Sequence, residues 1–274
     1  MSYRTMLLQM FEDAALTRRL TTAVDLARQF QGHLTGLNVA PPPVMPFGYG
    51  EAAAYVGPEI FEAQRQANEA IARRLEAAFG KATSGQGIAA DWRSLDGDYV
   101  TAFGKAAHTA DLVITGQVPG DALDALAPQV TEFLVTEAGG PVLMLPASGS
   151  GGSIGQRIIL GWNGSKEAKR AVLGSLPFLR GATQVWLVTV GDPEAVRLDA
   201  ARTMLERHDI RVEPVVIQGS GQEAGAILLE QAQSRDADLV VMGAYGHSRL
   251  REFFLGGATR HVLQTSALPI LFGG

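Results

Sequence analysis

The hexapeptide DLVITG at residues 111–116 returns as DLVVMG at 238–243, and it does not return alone. TMLLQM at 5–10 is matched by RIILGW at 157–162, and GHLTGLNV at 32–39 by TQVWLVTV at 183–190. PVLMLP at 141–146 is matched by PILF at 269–272. Four matches in one order mean that the chain is a duplication, and a duplication fixes the architecture before any single element is read. The offset is about 152 residues early and about 127 late, because the first half carries an insertion rich in Pro and Gly around 41–50. Repeats of that length are domains, not turns of a solenoid. A Gly/Ser stretch at 147–155, ASGSGGSIG, has the composition of a flexible linker. The expected organisation is therefore a first domain at 1–147, a linker at 148–155 and a second domain at 156–274.

Each half reads as alternating strands and helices. In the second half, apolar runs at 157–162, 185–190, 212–217 and 238–243 are predicted strands, and 268–272 closes the series. Helices are predicted at 166–180, 194–207, 222–234 and 258–265. Val, Ile and Leu run on without polar alternation, which indicates strands buried on both faces. The βαβα order then gives a parallel sheet with helices on both sides, so the fold class is α/β, doubly wound. Ligands of such sheets bind beyond the C-terminal strand ends, at a switch in strand order. Asp111 and Asp238 precede the matched strands at the opposite edge, where a strand-start or turn role is expected.

The segment DLVVMGAYGHSRLREFFLGGAT, 238–259, ends at that favourable edge. A buried strand runs into Gly243, then Gly246, then Gly256 and Gly257, and a helix follows. Glycines let backbone N–H groups approach an anion, and the helix start adds unpaired donors and the positive end of a dipole. The spacing G-x2-G-x9-G fits neither common nucleotide fingerprint. Gly243 and Gly246 read equally as turn glycines. His247, Arg249 and Arg251 would either neutralise phosphate or form a solvated loop face.

Composition removes several other functions. Net charge is −5, so a nucleic-acid groove has no electrostatic support. There is no cysteine, which excludes thiolate catalysis, disulfides and Cys-based metal sites. The histidines are scattered, with no metal-ligand spacing to an acid. No P-loop lysine motif, kinase signature, Mg2+-holding carboxylate pair or nucleophile–base pair stands out, so an efficient enzyme is not expected. No apolar run approaches the ~18 residues of a membrane span, and the N-terminal apolar run is too short for a secretory signal. A cytoplasmic protein that engages neither membrane nor nucleic acid is expected.

The duplication, the Gly243-x2-Gly246-x9-Gly256 loop with its flanking MGAYGHSRLREFFLGGATRHVL, and the closing PxLx strands together resemble the universal stress protein family in its tandem form. The resemblance covers nearly the whole chain. It implies two tandem open parallel five-stranded sheets of order 3-2-1-4-5, with terminal strands of the two domains paired as an intramolecular pseudo-dimer. Sheet edges left exposed by that pairing are compatible with a further homodimer. For members that bind ATP it implies a site of three parts. In this chain these are Asn163 after the first strand of the second half, Val190 at the end of its second strand, and the loop of Gly243, Gly246, Gly256, Gly257 and Thr259, with His247 and Arg249 inside it. The implied ligand is ATP, or else AMP or ADP, with Mg2+ admissible beside ATP.

Two positions depart from the family pattern. Asn163 replaces an acid, offering both donor and acceptor. Gly257 replaces a Ser or Thr, and one lost neutral hydrogen bond lowers affinity by roughly tenfold. The first half departs further. Phe11 stands at the acid position, Pro119 falls where Gly246 sits, and Gln129–Val130 fall where Gly256–Gly257 sit. Proline has no N–H, and Asp121 and Asp124 add negative charge, so no family-type nucleotide site is expected there. Thr259 would cap the last helix in either case. The leading expectation is a stress-response regulator that binds adenine nucleotide in its second half. The alternatives are an interaction protein with no nucleotide, and a slow ATP hydrolase or phosphotransferase.

Overall fold

The computed structural model describes residues 2–42, 58–117, 133–135, 137–148, 152–221, 223–244 and 257–273. The first half contributes β1 (Thr5–Gln9), α1 (Leu16–Phe30), β2 (His33–Ala40), α2 (Pro58–Thr83), β3 (Ala89–Asp96), α3 (Tyr99–Ala107), β4 (Leu112–Gly116) and β5 (Val142–Leu145). The second contributes β6 (Arg157–Gly161), α4 (Lys166–Leu179), β7 (Gln184–Val190), α5 (Leu198–Glu206), β8 (Glu213–Ile217), α6 (Ala224–Ser234), β9 (Leu239–Gly243), α7 (Gly257–Thr265) and β10 (Ile270–Gly273).

All ten strands form one sheet, in the order β3-β2-β1-β4-β5-β10-β9-β6-β7-β8. Each half therefore has the order 3-2-1-4-5, and pairing within each half is parallel. The two five-stranded sheets are continuous because β5 and β10 pair antiparallel, with Leu271 opposite Leu143. The switch in strand order lies between β1 and β4, and between β6 and β9.

Helices cover both faces, and each face has a core that crosses the seam between the halves. Leu20, Val24 and Leu26 of α1, Leu75 and Phe79 of α2, Val172 and Leu176 of α4 and Leu205 of α5 belong to one core. Phe103 of α3, Leu134, Leu228 of α6 and Val262 of α7 belong to the other. At the seam, Tyr3, Phe30 and Phe178 meet, with ring centroids 5.0 to 5.5 Å apart. The Tyr3 hydroxyl donates to the Gly174 carbonyl of α4 at 2.5 Å, and burial pushes its phenol pKa up.

Asp111 and Asp238 are strand-start brackets. Asp238 accepts from the backbone N–H groups of Gly155, Gln156 and Arg157 at 2.9 to 3.1 Å. Asp111 accepts from the N–H groups of Arg4 and Thr5 and from the Thr5 hydroxyl, each at 2.9 Å. In each half a carboxylate thereby ties the start of one central strand to its neighbour, at the edge opposite that half's own C-terminal strand ends.

Two expectations are corrected. The helix placed at 194–207 begins at Leu198, because Asp192 accepts from Glu194 N–H at 2.9 Å and Arg197 takes a left-handed φ of 54°. Such side-chain turns compete with helix formation. The strand expected to be buried on both faces near 212–217 is β8, the outermost strand, and Val216 is 42% exposed. An apolar run reports β preference before it reports position in the sheet.

Candidate functional site

The parallel strands β6, β7 and β9 end at one edge, so Asn163, Val190 and Gly243 are brought together there, and α7 begins at Gly257 on the same edge. Gly246, His247, Arg249, Arg251 and Gly256 lie outside the described residues, as do Pro119, Asp121, Asp124, Gln129 and Val130 of the first half. Of the insertion, Pro41 and Pro42 are described. The Pro41 carbonyl accepts from the Asn68 amide at 3.0 Å.

Gly243 closes β9 directly against the first turn of α4. A Cβ built there would sit 2.6 Å from both the Ala168 nitrogen and the Glu167 carbonyl carbon. Real side chains do not approach backbone that closely, so this glycine is required by helix packing whatever the loop binds. Its absence of a side chain brings the amino end of α4 onto the site edge, where orphan N–H groups and the helix dipole favour an anion.

Asn163 follows β6 through Trp162. The Trp162 indole N–H donates to the Val196 carbonyl at 2.8 Å, and the Thr189 hydroxyl donates to the Trp162 carbonyl at 2.9 Å, which fixes the strand end. The Asn163 side-chain oxygen is used within its own turn. It accepts from Ser165 N–H at 3.2 Å and from the Ser165 hydroxyl at 2.6 Å. Ser165 in turn caps α4 by accepting from Ala168 N–H at 3.1 Å. Gly164, at φ 73°, allows this turn to lie against Val196. Asn163 is exposed, and its amide N–H2 makes no hydrogen bond to the described residues. What it presents to a ligand is thus a donor, where an acid would present an acceptor.

Val190 ends β7 opposite Ile217, and Gly191 continues at φ 98° with its N–H on the Ile217 carbonyl. The rim beside them is the turn after β8. There Glu223 accepts from Ser220 N–H and hydroxyl at 3.1 and 2.9 Å, and these bonds lower its pKa. Thr259 is buried in the first turn of α7.

The equivalent edge of the first half is differently filled. Arg19 of α1 is 2% exposed, and its guanidinium lies 3.9 Å over the Phe11 ring. Nη1 donates to both oxygens of Asp13 at 3.0 and 3.1 Å, and Nη2 to the Phe11 carbonyl at 2.7 Å. A Cβ on Gly116, the counterpart of Gly243, would meet this Nη1 at 2.7 Å and the Phe11 ring at 2.9 Å. An internal cation and an aromatic ring therefore cover the end of β4. Beside them Gln9, buried, accepts from the Thr115 hydroxyl and donates to the Tyr99 hydroxyl. Burial raises the Tyr99 pKa, while the Gln9 bond and Arg19 oppose the rise. Sequence reasoning passed over Arg19, although the signal was present: it stands on the buried face of α1 with Leu20, Ala23 and Leu26.

Among the described residues no group of three or more His, Asp or Glu is placed to hold a metal ion, and no helix is long and apolar enough to cross a membrane.

Residues 181–272 match the model of the universal stress protein family. The chain is 30% identical over 125 residues to a universal stress protein of Synechocystis sp., covering 42% of this chain and 41% of that one. It is 25% identical over 75 residues to a universal stress protein of Methanocaldococcus jannaschii, covering 27% of this chain and 44% of that one. The matched stretches thus span less than half the length of either relative. A solved universal stress protein from Archaeoglobus fulgidus superposes with a TM-score of 0.76 at 16% identity, over 97% of this chain and 96% of that one. That likeness concerns the fold.

Proposed function

Because the second half of this chain carries a universal stress protein domain, we propose that it binds an adenine nucleotide, ATP foremost, at the C-terminal ends of β6, β7 and β9. The observation that supports this reading most is the convergence of Asn163, Val190 and Gly243 on one edge, at the β6–β9 switch, with the Gly243-x2-Gly246-x9-Gly256 spacing leading from there into α7. The start of α4, brought close by Gly243, adds a second helix N-terminus to that edge. The residues fit the ligand in kind: glycine backbone and helix starts suit phosphates, while the Asn163 amide and the backbone near Val190 suit the nucleoside side. ATP would supply a phosphate charge for the loop to hold, with Mg2+ as its companion. The chain is proposed to act as a regulator in the stress response, in the cytoplasm, with its halves as two domains at 1–147 and 156–274. One nucleotide site is proposed, since Arg19 and Phe11 fill the corresponding edge of the first half.

A ligand that binds the native state alone raises stability by mass action, about 2.7 kcal/mol at a hundredfold excess over the dissociation constant. Ligand-free protein, its emptiness checked by mass spectrometry, should therefore melt several degrees higher in millimolar ATP or AMP. An unchanged melting temperature would remove the proposal.

The self-contained turn of Asn163 favours a second reading, an interaction protein that carries no nucleotide. Under that reading Gly246→Val leaves every cellular partner in place, whereas under the first it abolishes nucleotide binding.

A further inference from the structure

The ten-stranded sheet ends in β3 on one side and β8 on the other, and the two edges are built differently. Peptide groups alternate in direction along a strand, so one ladder bond fixes which residues face the neighbour. At the end of β8 the Ile217 carbonyl accepts from Gly191 N–H at 2.9 Å, beyond the β7 partner Val190. The backbone of Glu213, Val215 and Ile217 therefore faces β7, and that of Pro214 and Val216 faces outward. Proline has no N–H, so Val216 alone offers an outward donor. A short edge strand with an outward proline resists further pairing.

β3 has no such block. Gly97 N–H donates to the Ala40 carbonyl at 3.0 Å, which turns the backbone of Ala89, Asp91, Arg93 and Leu95 towards β2. The N–H and C=O groups of Ala90, Trp92, Ser94 and Asp96 face outward, and among the described residues β3 pairs with β2 alone. The edge is also open to a copy of itself. α2 lies over the β2–β3 pair, with the Phe79 ring against Gly36 of β2 and 5.9 Å from the Trp92 ring. A two-fold axis along this edge would set the second α2 two strand spacings away, about 10 Å, an ordinary distance between packed helices.

An antiparallel pair of identical strands must oppose outward residues to outward residues, which leaves few registers. Centring the axis on Arg93 opposes that guanidinium to itself, and centring on Asp91 does the same to the carboxylate; like charges directly opposite are destabilising. Centring nearer either end shortens the ladder and sets neither charge against its opposite. Centring on Trp92 pairs Ala89 through Leu95 in full. Asp91 then faces Arg93 of the second copy, in both directions, at non-hydrogen-bonded positions where side chains come closest. Leu95, exposed in the single chain, comes opposite Ala89. Within each chain Asp91 already holds Arg93 at 3.0 Å, so the two copies would close a ring of four alternating charges.

We propose that two copies of this chain associate through β3, antiparallel and centred on Trp92, to make one continuous sheet. The interface is isologous, so it closes at two copies. It lies at the outer strand of the first half, apart from the edge formed by β6, β7 and β9, and it does not depend on the nucleotide reading.

Sedimentation equilibrium of the full chain over a concentration series tests it. The original chain should be a dimer. Asp91→Arg makes the ring wholly positive and Arg93→Asp makes it wholly negative, so each should raise the dissociation constant by roughly tenfold or more. The double variant, Asp91→Arg with Arg93→Asp, rebuilds both pairs with the signs exchanged and should restore the dimer. Ser94→Pro removes an outward N–H, as Pro214 does in β8, and should give a monomer with an unchanged circular dichroism spectrum, because the β2 ladder does not use that group. A chain that is monomeric throughout the series would overturn the proposal and leave Asp91 and Arg93 as guards of a free edge. A dimer that survives either single reversal, or a double variant that stays monomeric, would equally overturn it.

Discussion

Replacing Gly243 by alanine separates the two jobs a loop glycine can have. If the residue served only to let phosphate approach, the ligand-free protein would scarcely notice a methyl group. The geometry says otherwise: the new Cβ would lie 2.6 Å from two backbone atoms of α4 and 3.0 Å from the Glu167 Cβ. Backbone on a helix cannot rotate aside as a side chain can, so α4 must shift outward by several tenths of an ångström. Overpacking of this kind costs about 1–3 kcal/mol. For a chain of this size, each kcal/mol moves the midpoint by about 2–4 °C, so a fall of roughly 2–12 °C is expected. The assay is thermal and urea denaturation of ligand-free protein, with the urea slope unchanged and the midpoint lowered. Gly116→Ala is the internal comparison, because its nearest contacts are the Arg19 guanidinium and Phe11 ring, side-chain atoms with more freedom. A ligand-free Gly243→Ala protein as stable as the original would refute the packing argument.

Tyr3→Phe leaves the Gly174 carbonyl without its hydroxyl donor, and loss of a buried partner costs about 1–3 kcal/mol in denaturant unfolding. The Tyr3 phenol is raised by burial, so its native form is neutral where the unfolded form ionises; stability should hold below about pH 10 and fall above it, more steeply than in Tyr3→Phe. Asp238→Ala removes three charge-assisted bonds and should cost roughly 2–4 kcal/mol, while leaving nucleotide affinity unchanged because the bracket lies at the opposite sheet edge. Gly257→Ser restores a hydroxyl beside the loop and should tighten ATP binding by up to about tenfold in a calorimetric titration; an unaltered constant would argue that position 257 does not face phosphate.

Much of the fold was legible because duplication repeats its own evidence. The DLV motifs gave β4 and β9, and their aspartates gave the strand brackets, since a turn acid has no other reason to recur in register. The strand order within each half followed from resemblance and is the order found. Position within the sheet was not legible: 212–217 reads as core, yet β8 is an edge. The start of α5 was missed because Asp192 diverts the backbone into a turn before the helical pattern can prevail. At the candidate site, the meeting of Asn163, Val190 and Gly243 follows from parallel topology and could be read in advance. That Asn163 bonds its own turn, and that Gly243 is held by α4, depends on ångström-scale packing that no spacing reveals. Arg19 was hidden for the opposite reason. An arginine in a helix reads by residue type as a surface position, unless its place on the apolar face and the equivalent buried Ala171 of the other repeat are used to turn it inward.

The central claim is one nucleotide site per chain, in the second half. Isothermal titration of ATP into ligand-free protein, with Gly246→Val measured alongside, tests it most directly. The account predicts a stoichiometry of one per chain, lost in Gly246→Val. Two sites per chain, binding that survives Gly246→Val, or no binding at all would contradict it.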